Sequence, residues 1–232
     1  MEEISLPAIL SLAFGLGLVH ALDADHIAAV CGLAGTKPGR RESFSFCARW
    51  AVGHGMTILA LGSVAVFLGP ALPESLSKAA ENLVGPVLIV IGLWVIVDLK
   101  RRRAHLHFHR HDDLPNHAHW HVHGKHEKHD KAGSHRHGHG AVMVGMLHGA
   151  AGLAPLLALV PLSNHTASSW EVLACLAVFG LGVLGTMLVF GGLVGLVFDR
   201  AMRRGETLVT FLRGGVGCLS MGLGVYLLTG AI

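Results

Sequence analysis

Four ionisable side chains fall within the seven residues His20-Ala-Leu-Asp23-Ala-Asp25-His26, inside an apolar run long enough to enter a membrane. An Asp at the centre of a spanning helix costs about 2.5–3.5 kcal/mol on insertion scales, and this run carries two. Lipid contact offsets none of that cost, so the carboxylates should face a protected interior with a cation as partner. Two imidazoles beside two carboxylates form a mixed N/O donor set, better suited to divalent transition metals than to alkali ions. The competing reading is a polar kink satisfied by neighbouring helices.

On an ideal helix His20, Asp23 and His26 form one stripe about 120° wide, while Asp25 points about 140° away from His20. Either Asp25 supports the stripe from behind or packs between helices, or the helix unwinds and all four groups converge. His54, within Gly53-His54-Gly55, is the nearest candidate from another helix, and His148 is a further one. Each could instead be an interhelical hydrogen-bonding residue. The candidate metal set is therefore His20, Asp23, Asp25, His26, His54 and His148. Asn164 and His165 are either surface residues or part of a metal entry.

The elements that must position these groups follow from composition. The 232 residues are 52% hydrophobic and only 14% charged, with 31 glycines, which marks an integral membrane protein. Six spans are expected: Leu6–Leu33, Phe44–Leu68, Leu83–Leu99, Ala141–Leu162, Val172–Phe198 and Val209–Leu228. Each reaches the roughly 17–25 residues needed to cross the hydrocarbon core. The first would be about 42 Å long if straight, which invites tilt or a break near the polar cluster. The fold class is thus all-α, an integral membrane protein with six transmembrane helices as two inverted three-helix repeats. The start Met-Glu-Glu lacks the basic region of a signal peptide, so the first span is expected to be retained.

The repeat rests on three matches. Gly17-Leu-Val-His20 aligns with Gly145-Met-Leu-His148, and Gly53-His-Gly-Met-Thr57 with Gly182-Val-Leu-Gly-Thr186. Gly85 and Gly92 align with Gly215 and Gly222. A three-span repeat must reverse across the membrane, and transporters of that design bind substrate near the midplane between the halves. Residues 1–100 then form the first repeat, 101–140 a histidine-rich loop and 141–232 the second repeat.

Of the 18 Lys and Arg residues, only Lys78 falls away from loops one, three and five. The positive-inside rule places those loops in the cytoplasm and both termini outside, in a multi-pass cell (inner or plasma) membrane protein. The net charge of +3 reports this topology and not nucleic-acid binding. The segment His105–His139 holds thirteen of the chain's 18 histidines and no apolar run. It cannot bury a core, so it should lack regular structure without metal, and its alternating imidazoles suit a cytoplasmic metal buffer. Cys31, Cys47, Cys175 and Cys218 have no C-x-x-C spacing and read as small apolar residues.

The stretch His20-x-x-x-x-Asp25-His26, in the context His-Ala-Leu-Asp-Ala-Asp-His-Ile, resembles the signature of the nickel/cobalt transporter family. Gly53-His54-Gly55 resembles that family's Gly-His-Ser motif, with Gly55 in place of Ser. The resemblance implies a secondary permease carrying Ni²⁺ or Co²⁺ inward, with the signature histidines and aspartate essential. Well-studied members have eight spans and a later acidic signature that this chain lacks. His148-Gly-Ala-Ala-Gly152 looks more like six-span relatives, which include urease-associated membrane proteins and nickel/cobalt efflux proteins with a histidine-rich loop. The efflux branch carries Pro-Gly-His where this chain has Asp-Ala-Asp-His, which favours uptake.

The expected function is uptake of Ni²⁺, with Co²⁺ as second candidate, through an intramembrane His/Asp site. The alternatives are an efflux protein and an accessory protein handing nickel to enzyme maturation. Expected partners are the divalent ion, the lipid bilayer and a cytoplasmic nickel chaperone, without nucleic acid. No catalytic cofactor is expected, and the metal is substrate. Enzyme function is not expected, for the chain lacks His-Glu-x-x-His, a di-iron His-His pair and a Walker-type phosphate loop. A thiol-electron carrier of the CcdA type would need cysteines in spans one and four, and span four has none.

Overall fold

The computed structural model describes residues 5–34, 39–69, 71–101, 106–109, 117–120, 138–152 and 168–230. Their helices are α1 (Leu6–His20), α2 (Ala24–Ala34), α3 (Arg40–Leu68), α4 (Ala71–Arg101), α5 (Gly138–Ala151), α6 (Ser169–Arg204) and α7 (Glu206–Leu228). Four of them, α3, α4, α6 and α7, are long and apolar enough to cross a membrane, and α1 with α2 is apolar enough to make a fifth if the bent pair counts as one span. The chain is a multi-pass helical membrane protein. Of the expected span Ala141–Leu162, α5 supplies the first part. Residues 153–167, with Asn164 and His165, lie outside the described residues.

The long first span is broken where the sequence places its charges. The helical ladder tightens as Leu22 and Asp23 donate to the carbonyls of Val19 and His20, three residues back. It resumes when Ile27 donates to the Asp23 carbonyl. Asp23 thus stands just before α2, where a short acidic side chain competes well with the backbone, and Asp25 lies in the first turn, where the helix dipole favours an anion. The two pieces meet at 54°.

Glycine sets the packing. A Cβ on Gly17 would strike the backbone of Phe179, and one on Gly145 the backbone of Trp50. Gly53 likewise lies against Val142, and Gly182 against Phe14. These approaches seat α1 on α6 and α5 on α3 at backbone contact, as membrane helices without a hydrophobic driving force require. Between α4 and α7, Gly85 meets Gly224 and Gly92 meets Gly217. Gly215 and Gly222, aligned with Gly85 and Gly92 in the sequence, face open space instead. The helical drift over a few residues hides which glycine of a rich stretch turns inward.

Large apolar side chains such as Val19, Met56, Leu68, Val189, Phe211 and Leu219 are exposed along the spans, a distribution suited to lipid. Polar cross-links join particular helices. Ser220 Oγ donates to the Ala28 carbonyl at 3.1 Å, tying α7 to α2, and Ser77 Oγ lies 3.3 Å from the Ala151 carbonyl, tying α4 to the end of α5. Arg213, counted by sequence with the basic loop residues, instead sits within α7, buried, with Nη2 2.7 Å from Asp98 Oδ2 of α4. The basic side chain follows its acid into the helix interface.

Two described pieces of the histidine segment have regular structure where none was expected without metal. Strands β1 (Leu106–His109) and β2 (His117–Trp120) pair antiparallel in it, with Leu106 opposite Trp120, His107 opposite His119, Phe108 opposite Ala118 and His109 opposite His117. Strict alternation of histidine with other residues is also the period of a strand, which accounts for the pairing.

Candidate functional site

Four helices bring four histidines together. His20 closes α1, His26 lies in the first turns of α2, His54 is at mid-length in α3 and His148 is in the last turn of α5. The ring centroids of His20 and His26 are 4.7 Å apart, those of His26 and His54 5.2 Å, and those of His26 and His148 5.3 Å. His20 and His54 are 5.5 Å apart. His26, His54 and His148 are buried, and His20 nearly so. The 54° bend at the α1–α2 break is what permits this: a straight helix would carry His26 about 9 Å along the axis from His20.

The carboxylates lie behind the rings. Asp23 Oδ2 is 2.7 Å from His20 Nδ1, and Asp25 Oδ1 is 3.1 Å from His26 Nδ1. Asp25 Oδ2 lies 3.9 Å from His148 Nε2, and His148 Nδ1 donates to the Val144 carbonyl at 2.8 Å. In three of the four histidines Nδ1 is therefore engaged, which fixes the ring and leaves Nε2 as the free donor atom. A histidine that ligates a metal is commonly held this way by a carboxylate or a carbonyl. Asp25, which an ideal helix turns away from His20, is brought in by the break.

Among the described residues, His20 Nε2, His26 Nε2, His148 Nε2 and both ring nitrogens of His54 are buried without a hydrogen-bond partner. Each unsatisfied buried polar atom costs about 1–3 kcal/mol, so five in one cluster is a large standing penalty. Two groups of donors stand close enough to share an ion. Ligand atoms of His20, His26 and His54 all lie within 4.8 Å of one another, as do those of Asp23, Asp25 and His26. The first is all nitrogen, the second mostly oxygen.

Trp50 and Phe179 were not singled out from the sequence. Trp50 is fully buried and stacks on His54, with centroids 5.1 Å and planes 20° apart. It also meets His26 edge-on at 5.0 Å and His148 at 5.8 Å. Phe179 lies 5.4 Å from His20. The signal for Trp50 was its position four residues before His54, on the same helical face; Phe179 had none. The four cysteines are free thiols outside the cluster.

The family described as the cytochrome C biogenesis protein transmembrane region matches residues 17–226, and the chain belongs to it. The chain is also similar to the urease accessory protein UreH of Bacillus sp. (strain TB-90), at 29% identity over 206 residues, covering 88% of this chain and 83% of that one. No solved structure matches it.

Proposed function

We propose that this member of the cytochrome c biogenesis transmembrane family is a secondary permease that takes up Ni²⁺, and Co²⁺ as second substrate, into the cytoplasm. The observation that carries the reading is the set of buried imidazole nitrogens on α1, α2, α3 and α5 that have no hydrogen-bond partner among the described residues. A divalent late transition metal satisfies such nitrogens at once, and imidazole suits nickel and its neighbours. His20, His26 and His54 are the ligands, His148 joins from the second half, and Asp23 and Asp25 hold the rings and supply negative charge. The relative's name, a urease accessory protein, and the signature His20-x-x-x-x-Asp25-His26 both fit nickel handling. These likenesses point to a transporter or accessory membrane protein and not to an enzyme.

Six spans in two inverted repeats remain part of this reading. Reciprocal packing supports it: Gly17 on Phe179 mirrors Gly145 on Trp50, and Gly53 on Val142 mirrors Gly182 on Phe14. Partners in each mirror pair are offset by 128 or 129 residues. The glycine pairs Gly85–Gly224 and Gly92–Gly217 are reciprocal in the same sense. Rocking of the halves about these glycine seams would expose His20 and His148 alternately to each side. The basic flanks place both termini outside the cell membrane and the histidine loop in the cytoplasm, where it captures the emerging ion and can pass it to a nickel chaperone.

The relative's name favours one second reading, an accessory protein that delivers nickel with little flux of its own. Purified protein in vesicles decides between them. Uptake of radioactive nickel by the parent, absent in His54→Ala of equal insertion, is the expected result. No flux from the parent sinks the permease. Lower nickel in expressing cells than in controls reverses the direction to efflux.

A further inference from the structure

The two donor groups of the cluster differ in kind and in depth. Asp23 is 50% exposed and Asp25 25%, whereas His20 is 17% exposed and His26 2%. His54 is fully buried. Exposure therefore falls steadily from the carboxylates to the imidazoles, and oxygen donors give way to nitrogen along the same line. His26 belongs to both groups. Its Nδ1 lies at the Asp25 carboxylate, while its Nε2 is buried without a hydrogen-bond partner among the described residues.

We infer that Asp23, Asp25 and His26 form a separate outer cation station, which takes a partly hydrated divalent ion and accepts oxygen-preferring ions such as Mn²⁺. The inference rests on the proposed nickel path and adds a second stop to it. Two carboxylates and one imidazole make an oxygen-rich set with room for water, of the kind hard divalent ions accept. The inner set of His20, His26 and His54 offers nitrogen alone, which hard ions bind poorly. His26 faces the outer set with Nδ1 and carries Nε2 on the other side of a held ring, so an ion that waits at the outer station sheds water one ligand at a time as it passes along that ring. Discrimination then lies at the inner step, and manganese binds without being carried.

Manganese is the probe. Electron paramagnetic resonance of the full chain in nanodiscs, titrated with Mn²⁺, reads bound against free ion. Parent protein should bind one Mn²⁺ that Asp23→Asn weakens at least tenfold and Asp23→Glu retains. His54→Ala should keep manganese within threefold of the parent while losing nickel uptake. Equal manganese binding by the parent and Asp23→Asn overturns the outer station. Loss of manganese in His54→Ala shows one site and not two. If His54→Ala still carries nickel, the inner path fails on its own, whatever the manganese result. Failure of Asp23→Glu to bind beside a well-behaved parent also counts against the proposal.

Discussion

Gly152→Ala tests the chamber at one atom. Gly152 follows α5, its N–H held by the His148 carbonyl at 2.8 Å. An added Cβ would lie 2.8 Å from His20 Nε2, 3.2 Å from His20 Cε1 and 3.3 Å from the His148 carbonyl oxygen. Restoring ordinary contact near 3.5 Å moves the His20 ring by about 0.7 Å. Metal–nitrogen distances tolerate only about 0.2 Å, so His20 drops out of a shared donor set. Because the displaced group is a side chain and not backbone, the fold should survive at a cost of about 1 kcal/mol. Loss of ligand placement on this scale typically weakens metal binding by about 10–100-fold. Nickel uptake into vesicles at limiting ion should fall accordingly, with the thermal unfolding midpoint only slightly lowered. Gly15→Ala, on the same helix as His20 but facing open space, is the control and should keep parental uptake. Parental uptake by a well-folded Gly152→Ala protein would refute a path through His20 Nε2.

Arg213 is buried and Asp98 largely so, and Arg213→Met removes the 2.7 Å contact between them, which should lower the unfolding midpoint in detergent. Adding Asp98→Leu should recover most of that loss; no recovery would mean that Arg213 acts through other contacts. Deleting residues 105–139 should leave measurable nickel flux into vesicles and lower the metal retained per chain in equilibrium dialysis. Complete loss of flux would move the essential ligands into that loop.

The positions of α3, α4, α6 and α7, and the nearness of the ionisable groups of α1 and α2, were legible because insertion cost is a one-dimensional property. An Asp or His in an apolar run declares itself by composition alone. The break was partly legible: 28 residues exceed one crossing, but only the bonds from Leu22 and Asp23 to residues three back fix it between His20 and Ala24. Asp25 shows what periodicity misses. Its helical angle is measured from His20 on a straight axis, and a 54° bend voids that reference. Phe179 reaches His20 from a helix more than 150 residues away, and only the seating of Gly17 on Phe179 brings them together. Glycine content announced close packing without saying which glycines pack, hence Gly217 and Gly224 in place of Gly215 and Gly222. Arg213 was misread because a count of positive charge treats every basic residue as solvated. Inside a helix pair, one acid within reach changes its role from topology signal to interhelical tie. On the proposed function the same logic separates His54 from a spare hydrogen-bonding residue: both its nitrogens are buried and unmatched among the described residues, a cost that a bound ion would offset.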